Sequence, residues 1–353
     1  MIINDNINDY SLIDIESMSI FESIDVRSVT SKPEFPSEEF GDFMELLAKW
    51  NLSDACGSDI LKFSKKICRD DVNLPTSVKQ GRQLLDQIVI PHISFKKSPI
   101  MTYKEETYYL HYRPIFDAIK ELLSNKEIFD NCTFKYTPLY HEGQRIYYEQ
   151  YNGDWWKRVQ NSLPRDAKVL SIILYSDATT CDHLGKTSEH PIYLTLGNII
   201  SWRRNKPDAK ILLGYLPQLK AKTLSEKRTE SFHSAKHALY QYSLDILTRP
   251  LLDYRNDGFD LKTNNGQLWC FPFISVMLGD LPENAAVTLT YNSVNCKYPC
   301  HKCLIENDEL NNTRLNGDEI VLRTPENMKD YVNRGIANQY SLHNMKNIFW
   351  KHP

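Results

Sequence analysis

Apolar positions recur at helical spacing early in the chain. Ser37 precedes a stripe of Phe40, Phe43, Met44, Leu47 and Trp50, which predicts a helix capped by the serine hydroxyl. SDILKFSKKIC, with Ile60, Leu61, Phe63 and Ile67, predicts a second helix, and KQGRQLLDQIV a third. Residues 37–100 therefore read as a small helical module. Residues 101–165 are dense in aromatics. TYYLHYRPIFDAIKELLS predicts a strand running into a helix from Pro114, and TFKYTPLYHEGQRIYYEQY a hairpin turning at Glu142-Gly143. The paired Trp155 and Trp156 suit core packing better than stacking on bases.

From residue 166 the period changes. KVLSIILYSD, HPIYLTLGNII, AKILLGYLPQL and LWCFPFISVMLGD are apolar runs of strand length. Between the third and fourth lies SFHSAKHALYQYSLDILTRPLLDYRNDG, a long helix with Ala238, Tyr242, Leu244, Leu247, Leu251 and Leu252 inside and a bend at Pro250. The order is β-β-β-α-β. It predicts an α/β fold with an RNase H-like mixed sheet over residues 166–295, followed by a cysteine-containing segment over 296–353.

Composition narrows this picture. The 353 residues are 41% hydrophobic, enough for a sizeable core and for two or three domains. The net charge of -3 removes the whole-chain basic character of many nucleic-acid binders and leaves room for a local basic patch. No run approaches the roughly 18 apolar residues of a membrane span, and the N-terminus has no signal-peptide pattern. Scattered cysteines point to a reducing, intracellular compartment. Residues 1–36 carry six acids before the first basic residue, Arg27, and read as a loose acidic segment.

Two of the strand runs end in a carboxylate, Asp177 and Asp280. An acid at the exit of a buried strand is held rigidly yet faces water. Two of them on neighbouring strands repel unless a cation lies between, and Mg²⁺ (or Mn²⁺) suits hard oxygen donors. The other reading of each is a turn residue or helix cap. Asp182 in the same loop ranks behind Asp177. Between the second and third strands, SWRRNKPDAK gathers Arg203, Arg204, Lys206 and Lys210, either a phosphate-backbone contact beside the acids or a solvated polar turn.

CKYPCHKC places Cys296 ahead of a C-x-x-C pair, Cys300 and Cys303. With His343 as a fourth ligand (His301 and His352 being alternatives) these would hold a structural Zn²⁺. Free thiols or a redox pair are the other readings. His233 and His237 stand at i, i+4 without the glutamate of a zincin helix, and read as surface residues.

DWWKRVQNSLP, SDATTCDHLGKTSEHPIYLTLGNIISWRRNKPDAKILLGYLP and FPFISVMLGDLPENAAVTLTYNSVNCKYPCHKC together resemble Plavaka-type transposases, fungal cut-and-paste elements allied to the CACTA and KDZ groups. The resemblance implies a DDE/D transposase that cuts and joins DNA at transposon ends with a divalent metal, in the nucleus. It places Asp177 as the first acid and Asp280 as the second, in the GDxPE motif. It also implies a third carboxylate on a later helix. Glu283, Glu306 and Glu309 offer no convincing substitute, so the expectation is a truncated chain with impaired strand transfer. The alternative is a non-catalytic DNA- or protein-binding remnant.

Overall fold

A computed structural model describes residues 10–13, 23–25, 35–50, 52–67, 74–75, 77–87, 95–181, 188–264, 266–291 and 295–352. Most of the acidic N-terminal segment, and Asp182, lie outside the described residues. The chain divides into two compact units, one of residues 28–94 and one of residues 1–27 with 95–353.

In chain order, the strands are β1 (Tyr10–Leu12), β2 (Ser23–Asp25), β3 (Lys96–Tyr103), β4 (Glu106–Tyr112), β5 (Leu139–His141), β6 (Gln144–Ile146), β7 (Lys168–Ser176), β8 (Thr179–Thr180), β9 (Ser188–Glu189), β10 (Pro191–Leu196), β11 (Ile211–Tyr215), β12 (Phe259–Thr263) and β13 (Gly266–Leu278). The helices are α1 (Glu38–Lys49), α2 (Asp54–Ile67), α3 (Val78–Gln87), α4 (Ile115–Ser124), α5 (Lys126–Asp130), α6 (Asp154–Ser162), α7 (Ser201–Arg204), α8 (Glu230–Thr248), α9 (Leu281–Thr288) and α10 (Pro325–Asn333).

The smaller unit holds α1 to α3. Ser37 Oγ accepts the Phe40 N–H at 3.2 Å and caps α1. Phe40, Phe43, Met44 and Leu47 pack with Leu61 and Val78. Trp50, Phe63 and Ile67, placed in the stripes by spacing, are exposed. Trp50 is the C-cap, where the helical turn has already ended. Phe63 and Ile67, four apart, share a face of α2 away from buried Leu61.

The larger unit is a mixed α/β structure on a nine-stranded sheet, ordered β1-β3-β4-β11-β10-β7-β13-β12-β2. β7, β10 and β11 are successively antiparallel, and β13 runs parallel to β7. The four apolar runs are these four strands. β12 was not expected. It enters between α8 and β13 and forms a hairpin with β13. β1 and β2 pair at opposite edges of the sheet, so two short pieces of the segment read as loose are strands. α8 ends at Thr248 rather than bending at Pro250. Pro250 lies in a 3-10 turn over Arg249–Tyr254, because its ring and missing N–H cannot continue the helix.

One sheet face builds the main core. Leu170, Ile172 and Leu174 of β7 and Ile192, Leu194 and Leu196 of β10 meet Ile115, Ile119 and Leu122 of α4 and Phe232, Leu239 and Leu247 of α8. The opposite face is covered most fully at one end among the described residues. There Val169 and Phe273 pack with Tyr151, Trp155 and Trp156. β7 is thus buried on both faces near its start, which is why its run is almost continuously apolar.

Candidate metal-binding edge

β7 and β13 are parallel neighbours, with Tyr175 opposite Leu278. Asp177 follows the first strand and Asp280 the second, so both acids leave the same edge of adjacent strands. Asp177 is half-buried and Asp280 exposed. The Tyr175 hydroxyl donates to Asp177 Oδ2 at 3.2 Å. Burial raises the Tyr175 pKa, and the charges of Asp177 and Asp280 raise it further, so both carboxylates bear on one hydroxyl. Asp280 is also the cap of α9, its Oδ1 accepting the Glu283 N–H at 2.8 Å. Cap and strand-exit acid are one residue here, and the cap fixes the carboxylate's position.

Glu283 had no assigned role beyond being an unconvincing third carboxylate. It lies in the first turn of α9 and is buried. His190, just ahead of β10, stands 2.9 Å from its Oε1, and the Tyr240 hydroxyl of α8 and the Ser176 side chain also bond to it. Burial alone would raise its pKa, but these hydrogen bonds outweigh it and hold the carboxyl below the usual carboxylate range. Tyr240 is raised in turn by burial and by the Glu283 charge. Gly279 permits this approach, since a Cβ there would sit 2.7 Å from Glu283 Cβ. The D-x-x-E pattern of a capped helix start was the signal that marks Glu283 as a helical residue.

The basic turn lies elsewhere. Ile192 pairs with Ser176 and Leu196 with Ile172, so β10 runs away from the acids and its exit is at the opposite edge of the sheet. The expectation of a basic tip beside the acids is corrected by this antiparallel geometry. Arg203 is only 1% exposed and is gripped by Asp208, with Nη1–Oδ1 at 2.8 Å, Nη2–Oδ2 at 2.6 Å and Glu127 3.3 Å from Nε. Arg204 donates to the Ile199 carbonyl at 2.6 Å and to Glu149 at 3.2 Å. These arginines brace the turn through ion pairs within the fold, whereas Lys206 and Lys210 are exposed.

The proposed zinc ligands are only partly gathered. Cys300 and Cys303 share a side-chain hydrogen bond. Burial pushes both thiols up. At Cys300 the amides of Lys302 and Cys303 and the Arg323 charge outweigh it and lower the pKa, while Cys303 stays raised. Arg323 donates to the carbonyls of Cys300 at 2.9 Å, Tyr298 at 3.0 Å and Tyr340 at 2.9 Å, pinning this loop. His343 instead packs on His237, ring centroids 3.9 Å apart, and on Tyr291 at 4.8 Å. His237 is therefore half-buried rather than open to solvent; burial and the neighbouring His343 charge lower its pKa to about 3. Among the described residues no three His, Cys, Asp or Glu side chains converge as metal ligands. Cys296, Cys300, Cys303 and His343 are accordingly not gathered around one point in this geometry. The two aspartates, hard oxygen donors at one edge, do fit Mg²⁺ in donor chemistry.

The model of the family described as Plavaka transposase matches residues 78–352. The chain belongs to the Plavaka transposase family. The match covers most of the chain, from α3 through strands β3 to β13 to the C-terminal turns, and leaves out the edge strands β1 and β2. Both strand-exit aspartates, Glu283 and the cysteine segment lie inside the Plavaka match. No curated protein matches the chain. No helix among the described residues is long and apolar enough to cross a membrane.

Proposed function

We propose that this chain is a transposase-derived protein with an RNase H-like core, and that Asp177 and Asp280 are its metal-binding carboxylates. One observation carries the reading: two acids about a hundred residues apart leave the same edge of adjacent parallel strands. The strand order β11-β10-β7-β13, three antiparallel and the fourth parallel to the first, supports an RNase H-like core. Family membership supports DNA as the substrate and a nuclear location.

Asp177 and Asp280 would hold Mg²⁺ (or Mn²⁺), which when bound stabilises charge on the attacking and leaving oxygens at a phosphodiester. The protein's own residues set the geometry. Tyr175 orients Asp177 through its hydroxyl, the α9 cap holds Asp280, and Glu283 ties α9 to β7, β10 and α8. Mg²⁺ titration followed by calorimetry, with nicking of supercoiled DNA, tests this. Asp177→Ala should lower Mg²⁺ affinity at least tenfold and abolish metal-dependent nicking; equal Mg²⁺ affinity in both proteins sinks the assignment.

A second reading is a DNA-binding remnant that does not cut. The commitment of Glu283 to His190 and Tyr240 favours it, since the buried carboxylate nearest the pair is already occupied. DNA binding by the purified chain with no cutting in Mg²⁺ or Mn²⁺ would establish this reading over the first.

A further inference from the structure

The sheet face that α6 covers at one end carries, at the acid end, a row of exposed and half-buried aromatic rings. Tyr175 of β7 and Tyr193 of β10 are direct cross-strand partners, with ring centroids 6.3 Å apart and planes 30° apart. Tyr215 of β11 joins the same face because of a bulge. Ile192 pairs with Gly214 but Tyr193 with Leu212, so Leu213 is the extra residue and the side-chain alternation is reset. Phe95, just before β3, lies 6.3 Å from the Tyr215 ring. Tyr175, Tyr215 and Phe95 remain 42%, 36% and 41% exposed. At the far end of the row, Lys97 pairs with His111, and His111 with Tyr215.

A run of exposed rings across adjacent strands forgoes burial and marks a surface kept for a ligand. We propose that this row is a stacking platform for unpaired bases of a DNA strand, and that it leads that strand to the acid pair. The inference rests on the DNA-acting reading above and adds the form of DNA engaged. Three features select this occupant. Rings on successive strands offer successive π-faces, which any base can use and a paired base in a duplex cannot. The row is continuous with the acids, because the Tyr175 hydroxyl bonds to Asp177; a base on that ring brings its own phosphate to the carboxylates. Lys97 supplies a cation at the end away from the acids, where the strand's backbone would enter.

The test is oligonucleotide binding by fluorescence anisotropy in the presence of a chelator, so that it does not depend on metal binding or cutting. An unpaired oligonucleotide and a duplex of the same length are compared. Tyr193→Leu and Tyr215→Leu should each weaken binding of the unpaired strand by roughly tenfold. Tyr193→Phe and Tyr215→Phe, which keep the ring, should bind as the wild type does, and duplex affinity should change little in all four. Wild-type protein irradiated with a bromouracil-substituted oligonucleotide should be cross-linked at Tyr175, Tyr193 or Tyr215, and this decides the matter should a leucine variant fail to fold. Leucine variants that bind the unpaired strand as tightly as wild type, or cross-links confined to other surfaces, overturn the platform while leaving the DNA-acting reading standing. Absence of binding to either DNA overturns both.

Discussion

The two ends of the same strands treat charge in opposite ways. At the end where β10 leaves, every arginine is matched: Arg203 by Asp208 and Glu127, Arg204 by Glu149 and a carbonyl. At the end where β7 and β13 leave, two carboxylates of like sign act on one tyrosine hydroxyl. The matched end shows what charge does when it serves the fold, where each donor meets an acceptor and the turn is held. At the acid end the carboxylates are instead held by a hydroxyl and an amide, Tyr175 for Asp177 and the Glu283 N–H for Asp280. Carboxylates placed this way on a surface are candidates for a ligand. A basic cluster in sequence thus did not reveal that its two arginines are committed to ion pairs within the fold.

Four substitutions or conditions would break or sharpen this contrast. The largest stability effect belongs to the matched end. Arg203→Ala should cost about 2–4 kcal/mol, from lost hydrogen bonds and a cavity at a buried site, read by denaturant unfolding. Its DNA affinity should be unchanged, because the guanidinium faces inward.

Glu283→Ala should come next, at about 1–3 kcal/mol, since it strands the Tyr240 hydroxyl and His190 without their acceptor. The pH dependence follows from the lowered Glu283 pKa. A carboxyl held below its unfolded value of about 4.5 stabilises the fold above that pH, and the contribution is lost as pH falls through the lower folded value. The gap between wild type and Glu283→Gln should therefore shrink in acid. A gap that stays constant from pH 7 to pH 3 would show that Glu283 acts by packing alone.

The third effect concerns the two histidines His237 and His343, packed ring against ring. Burial lowers His237 to about 3 and His343 to about 4, so both are neutral in the fold and gain protons more readily when unfolded. Stability should fall as pH drops from about 6.5 toward 4, by at most about 1.4 kcal/mol per pH unit for each histidine. Lys236 and His233 add positive charge around His237 and contribute to holding it down, which extends this window toward lower pH. His237→Asn should flatten the thermal-midpoint profile in that window.

The smallest effect is the most telling. Asp177→Asn removes one of two like charges, and without divalent metal it should leave the thermal midpoint unchanged or raise it slightly, within about 0.5 kcal/mol. A clear loss of stability on this substitution would mean that Asp177, like Arg203, is a bracing residue.

Much of the fold was legible in the chain. Long apolar runs marked β7, β10, β11 and β13, and the Glu142-Gly143 turn marked the β5–β6 hairpin, where both residues take positive φ. β12 was missed because FDLKT is short and half polar, its strand character coming from pairing with β13. β1 and β2, three residues each, are strands only because sheet edges receive them. At the candidate site, Asp177 and Asp280 were legible as strand exits. Glu283 was not, because the groups that define it, His190 and Tyr240, are remote in sequence. Arg203 was misread for the same reason. Composition shows a basic cluster but not whether a guanidinium turns in or out.

The amino-acid pattern by itself determined most of the helices and long strands and which of them end in acid, because periodicity and capping act over a few residues. The tertiary structure alone decided that β13 lies parallel to β7, that the basic turn sits at the far edge, and that a bulge at Leu213 brings Tyr215 onto the face of Tyr193. Those outcomes depend on strand direction and register between segments many residues apart, and a shift of one position would turn every side chain to the other face.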